Sequence, residues 1–224
     1  MAAPTWDGII CRATSPGWAV GARIALAVAA RAQDWWTVFD LILKHPHFVN
    51  SSCPDEPGRL APLHRAADGG VPPEIANRLI AAGAWRSLRT SSGERPADLA
   101  RRAGHTHLLA VLEPPLRTDV PADILDTLQK HFHELIHQRM REFEVDHELR
   151  LPELEVLLEL ERPELWFPVP GMNGGFQFRL ELAAKGPRLI AASWSRMVSG
   201  SEERHEITES GVRTVAGRPW TDRN

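Results

Sequence analysis

The chain has 224 residues, 43% of them apolar and 25% charged, with a formal net charge of −3. Those values exclude a disordered chain and a polyanion binder held by bulk charge, and no apolar run reaches the ~18 residues of a membrane-spanning helix. Only Cys11 and Cys53 carry thiols and tyrosine is absent. That excludes a disulfide framework and tyrosine chemistry and, with no signal-peptide pattern, points to the cytoplasm.

In chain order, residues 24–50 hold two helical patterns. Ala29-Ala30 lie in the first, and Val38, Leu41, Ile42 and Leu43 lie in the second. Trp35-Trp36 precede the second helix, and the pattern expects one to pack and the other to stand exposed. A repeat follows. Pro62-Leu63-His64-Arg65-Ala66-Ala67-Asp68-Gly69-Gly70 overlies residues 96–104, with Pro62 and Pro96, Ala66 and Ala100, and Gly70 and Gly104 each 34 apart. Proline suits the first turn of a helix, alanine lets paired helices approach closely, and glycine supplies the turn.

These residues resemble the ankyrin repeat family. Ala61-Pro62-Leu63-His64 stands at the family's Thr-Pro-Leu-His, Gly83-Ala84 at its Gly-Ala pair, and Asp98 to Thr106 at a closing repeat. The resemblance spans residues 20–115. It implies two to three helical units, no built-in chemistry, no cofactor, and a surface that binds another protein. It also implies that His64 hydrogen-bonds between neighbouring units. Trp85 follows Gly83-Ala84, where the family carries a polar residue. It is therefore expected at a surface, flanked by Arg86 and Arg89, as a binding hot spot or a packing residue against a second domain.

Pro114-Pro115 ends this region. A long amphipathic helix is predicted over 120–144, its apolar face formed by Leu125, Leu128, Phe132, Leu135, Ile136 and Phe143. Alternation predicts a strand over 154–160, a short extended piece at Trp166 to Val169, and strands at 176–182, 188–196, 204–208 and 212–215. The stretch from Leu165 to Thr208 is similar to a small bacterial domain of uncharacterised function. The expected fold is α+β. An N-terminal ankyrin-type array of two to three units covers 1–115, and residues 119–224 form one long helix packed on an antiparallel sheet.

One motif carries explicit chemistry. His133-Glu134-Leu135-Ile136-His137 reads HExxH, in which two histidines one helical turn apart bind zinc and the glutamate acts as general base. Against it, the histidines fall opposite the apolar stripe, and Arg139 stands where zinc hydrolases carry an apolar residue. The expectation is a solvated helix face and no metal. Ser193, Ser195, Ser199, His205 and Glu206 supply nucleophile, base and carboxylate, but no nucleophile elbow surrounds either strand serine, so the alternating serines Ser193 and Ser195 are expected on the solvent face of the sheet. Gly171 to Gly175 is expected to be a plain hairpin loop.

The function expected is a non-enzymatic protein–protein interaction module, an inhibitor or immunity-type protein included. Its partner is another protein, not nucleic acid or membrane. The candidate partner-binding residues are Trp85, Arg86, Arg89, Trp35 and Trp36. The alternative is a zinc-dependent hydrolase with His133 and His137 as ligands and Glu134 as base.

Overall fold

The computed structural model describes residues 3–145, 148–196 and 201–215. The fold is α+β, and the chain divides into two units. One comprises Ile9–Leu116 with Glu148–Arg150. The other comprises Met1–Gly8, Arg117–His147 and Leu151–Asn224. The division drawn from sequence, 1–115 against 119–224, does not anticipate that a short segment of each half belongs with the other.

The first unit is helical, with three successive pairs: α1 (Gly17–Arg31) with α2 (Trp35–Lys44), α3 (Pro62–Asp68) with α4 (Pro73–Ala81), and α5 (Pro96–Arg102) with α6 (Leu109–Leu112). Local chemistry sets the starts. Asp34 caps α2, its carboxylate accepting from the Thr37 amide at 3.2 Å. Pro62, Pro73 and Pro96 each sit in a first turn, where a missing N–H is not required. Ala61 and Arg95 precede α3 and α5 without an acceptor side chain, so the forward half of a capping box is missing. The reverse half remains. His64 Nδ1 accepts from the Ala61 amide at 3.2 Å, and Asp98 accepts from the Arg95 amide at 3.0 Å.

Packing follows from small residues. Ala66 and Ala67 on α3 have no exposed surface. They share a core with Leu26, Ala30, Val38, Ile42, Leu79, Leu99, Ala100, Leu108 and Leu112, and α3 contacts both α1 and α5. After α3, Gly70 takes φ +62°, and a Cβ there would stand 2.5 Å from the His105 ring. That ring donates to the Asp68 carbonyl at 3.1 Å, and His107 does the same to the Val71 carbonyl at 3.2 Å. The 34-residue spacing thus brings an imidazole of the later segment onto the turn of the earlier one.

The second unit pairs a long helix with a sheet. Helix α7 (Ala122–Glu142) is followed by α8 (Glu155–Glu159) and five strands: β1 (Glu164–Val169), β2 (Gly174–Ala183), β3 (Gly186–Ser195), β4 (Glu203–Thr208) and β5 (Gly211–Thr214). The strands form an antiparallel meander in the order β1-β2-β3-β4-β5. Leu128, Phe132 and Ile136 on α7 are fully buried, and the Phe132 ring meets Phe178 at 4.8 Å and Phe176 edge-on at 5.9 Å. Pro4 to Trp6 lies along β1. The Trp6 amide donates to Trp166 O at 2.7 Å and the Trp166 amide to Pro4 O at 2.9 Å, which covers part of the sheet edge.

Two expectations are corrected. Residues 154–160 contain a short helix, not a strand. Val156, Leu157 and Leu158 are all buried in succession, which no one-sided strand allows, and Gln129 Oε1 accepts the Leu154 amide at 2.8 Å. Ser193 and Ser195 lie on the core face of the sheet, 1% and 6% exposed, not on its solvent face, and His205, 2% exposed, lies there with them. The central strand β3 is buried on both faces, since Ile190 and Ala192 opposite are buried too.

Because each unit includes a segment from across Arg117, a tryptic nick there should not separate the halves. The two fragments should co-elute in native size exclusion and part only in denaturant. Separate elution without denaturant would contradict the exchange of segments.

Candidate functional site

The HExxH residues lie on α7. Glu134 and His137 are exposed and His133 is half-buried. A carbonyl only accepts, so His133 Nε2 carries the proton that it donates to Pro152 O at 2.8 Å. Burial is the main reason its pKa falls below the ordinary histidine value. Nearby His137 pushes the same way, while Glu153 and the Pro152 carbonyl oppose it. His133 thus braces the segment after α7. Among the described residues, no group of three His, Cys, Asp or Glu side chains could hold a metal ion. Arg139, which departs from the zinc pattern in sequence, is 4% exposed. Its guanidinium pairs with Glu142 at 2.6 Å and Glu203 at 2.7 Å and donates to Ser201 O at 2.7 Å, tying the end of α7 to β4.

The serine–histidine set does not assemble. Ser195 Oγ donates to Met172 O at 2.6 Å. Ser193 lies opposite Glu203, and His205 lies opposite Ala191, with its Nε2 3.4 Å from Glu203. Burial is the first cause that lowers the His205 pKa. Glu206 is on the other face, paired with Arg188 at 2.7 Å and with Arg213. Ser199 lies outside the described residues. A nucleophile and base buried under a helix give no substrate a path.

The Gly171–Gly175 segment joins β1 to β2. It borders an open groove of about 550 Å³ lined by Trp166, Asn173, Gly174, Trp194 and Arg196. The two indoles stack at 4.6 Å. A Cβ on Gly174 would fall 1.9 Å from Trp194 O, and one on Gly175 2.1 Å from Phe167 O, so only glycine fits between the neighbouring strands. The tryptophan pair covers backbone that the glycines leave bare, which accounts for the groove without a ligand.

The finger residues are placed otherwise than the sequence suggests. Trp85 is 5% exposed, so it offers no free face. Its amide donates to Asn50 Oδ1 at 2.9 Å, while the Asn50 side-chain amide donates to Gly83 O at 2.9 Å. Arg86 and Arg89 are half-buried and donate to the carbonyls of Glu113 at 3.1 Å and Gly93 at 2.7 Å. Two further clamps hold the segment. His64 Nε2 bonds Leu88 O at 2.9 Å, and buried Arg150 donates to Arg89 O. Asn50, which the sequence reading passed over, is a buried amide after the apolar pair Phe48-Val49, and that placement is its one sequence signal.

Of Trp35 and Trp36, the first packs against the helical core and the second is 84% exposed. Trp36 shares α2 with Leu43, which is 80% exposed. These two, seven residues apart, lie on one line of the helix. The charges beside them, Asp40 and Lys44, pair with each other at 2.6 Å.

No protein-family model matches the chain, and no curated protein is found to be similar to it. Among the described residues, no helix is long and apolar enough to cross a membrane.

The clamp at His64 has a measurable pH signature. Burial, reinforced by nearby Arg150, lowers its pKa to about 3. An unfolded chain protonates the same group near 6.5. Between those values the unfolded state binds the proton and the folded state does not, so stability is full above about pH 6.5 and falls as pH drops towards 3. From pH 6.5 to 5 this amounts to about 2 kcal/mol. Urea unfolding at both pH values should show a loss about 2 kcal/mol larger in the wild type than in His64→Gln, which keeps the smaller losses due to His133 and His205. An equal loss in both would contradict it.

Proposed function

We propose that this chain is a non-enzymatic protein–protein interaction module, built on an ankyrin-type array of three short helical pairs. That reading includes an inhibitor or immunity-type protein. The 34-residue spacing, the prolines opening α3 and α5, and the imidazole and amide clamps between successive segments all support the repeat reading. The observation that carries the binding reading is the ridge on α2. Trp36 and Leu43 are held in solvent on one helix, and Asp40 and Lys44 beside them pair with each other. An exposed tryptophan on a fixed backbone is the residue type that anchors interfaces. The binding face is therefore assigned to Trp36 and Leu43, and Trp85, Arg86 and Arg89 support the fold behind it.

The hydrolase alternative, with His133 and His137 as ligands and Glu134 as base, lacks a third His, Cys, Asp or Glu ligand among the described residues.

Placing a photo-crosslinking amino acid at position 36 tests the reading in the cells that produce the protein. Irradiation should give adducts to another polypeptide, and the same probe at exposed Glu209 should give none. Once the partner is in hand, Trp36→Ala should weaken binding at least tenfold, about 1.4 kcal/mol, with the melting temperature unchanged. Equal labelling at both positions, or none at 36, would contradict the assignment.

A further inference from the structure

Helix α1 has the composition of a buried helix and the position of a surface one. It runs Gly-Trp-Ala-Val-Gly-Ala-Arg-Ile-Ala-Leu-Ala-Val-Ala-Ala-Arg with no acidic residue. Of its two arginines, Arg23 is buried, donating to Ala19 O at 3.1 Å with its guanidinium 4.1 Å from the Phe48 ring centroid, and Arg31 pairs with Glu56. A helix that is apolar all round is normally covered on all sides. Yet Trp18, Gly21, Ala25, Val28 and the C-cap Ala32 are exposed, Trp18 at 63% and Val28 at 54%. Their spacing is three, four, three, four, that of a helix seam that packs against another helix.

Gly21 adds an independent observation. A Cβ built on it meets nothing within 4 Å. Glycine inside a helix is weaker than alanine, and the chain's own packing gives no reason for it here.

We propose that this seam of α1 is a self-association surface, closed by α1 of a second copy running antiparallel about a two-fold axis at Ala25. The sequence is self-complementary in that arrangement. Trp18 of one copy falls opposite Ala32 of the second, Val28 falls opposite Gly21, and Ala25 meets itself. Large side chains meet small ones on either side of the Ala25 pair at the axis, as an interdigitated interface needs. A parallel pairing would set Trp18 on Trp18 and leave a gap at Gly21. No charged side chain lies on the seam, so two copies of a chain with net charge −3 meet there without local repulsion. The apolar surface offered is roughly 300–400 Å² per copy, so the dimer buries roughly 600–800 Å², which is the size of a weak, reversible contact. Area does not fix affinity, so the test covers weak constants, on the order of 10–100 µM.

This seam lies on α1 and the Trp36–Leu43 ridge on α2, with Trp18 nearest to α2 through the His45 ring at 5.7 Å. A chain that stays monomeric while crosslinking through position 36 overturns the dimer and leaves the partner-binding reading intact. The test is sedimentation velocity on the full chain from 5 to about 300 µM, spanning that range, at low and high sodium chloride. The expected result is a reversible monomer–dimer equilibrium that added salt does not weaken. Ala25→Arg sets two guanidinium groups face to face at the axis. It should raise the dissociation constant at least tenfold while leaving the melting temperature of the dilute protein unchanged. Gly21→Ala separates the two roles of that position. It should raise the melting temperature by a few degrees, because the helix gains and nothing inside the chain is in the way, and it should weaken association several-fold. A wild type that remains monomeric to the top of the range overturns the proposal. So does a dimer indifferent to Ala25→Arg, or a Gly21→Ala variant that melts higher and associates as before.

Discussion

No helical pair in the first unit can bury its own apolar face, and the rest of that unit follows from this constraint. α3 and α5 are seven residues long, about two turns, too short to persist alone in water. They hold because Ala66, Ala67 and Ala100 are small enough for neighbouring helices to close over them without a void. Close approach also seals backbone groups from water, and those groups must be satisfied. Asn50 satisfies the Gly83 carbonyl and the Trp85 amide, and His64 satisfies the Ala61 amide and the Leu88 carbonyl. A buried polar group left unpaired costs about 1–3 kcal/mol, so these two side chains are as much a part of the core as the leucines. α1 and α2 nonetheless leave Trp18, Val28, Trp36 and Leu43 exposed.

The second unit solves the same problem in another way. One long helix covers one face of a five-stranded meander, with Phe132 meeting Phe176 and Phe178. The opposite face carries its own cover of ion pairs, running from Arg179 through Glu181 and Arg188 to Glu206. Arg188 holds Glu181 and Glu206 below the ordinary carboxylate range through direct hydrogen bonds, helped at Glu181 by Arg179 and at Glu206, first of all, by Arg213. The chemistry of these groups is that of a sheet surface.

Periodic features were legible in the sequence. The alternation from Phe176 to Leu182 reads as β2, the spacing from Leu125 to Ile136 reads as α7, and the 34-residue recurrence of proline, alanine and glycine marks the turns after α3 and α5. What stayed hidden depends on partners distant in the chain. Trp85 looks like a surface residue beside two arginines, but its amide is held by Asn50, 35 residues earlier. Residues 154–160 alternate well enough to suggest a strand, but Leu157 breaks the pattern and tertiary contacts decide for helix. Ser193 and Ser195 look like solvent-face residues because β3 and β4 mix small and polar residues on both sides. Only the strand register reveals which side α7 covers. For the candidate site, the sequence distinguishes Trp36 from Trp35 only as one exposed and one packed. The turn of α2 decides which.

The central claim is that the helical unit leaves Trp18 and Trp36 open on α1 and α2 and encloses Trp85. Hydroxyl-radical footprinting with mass spectrometry, on dilute native protein, measures this residue by residue. Trp18 and Trp36 should oxidise at least several-fold faster than Trp85 and Trp6, which are 5% and 1% exposed. Oxidation of Trp85 as fast as that of Trp36 would contradict the account.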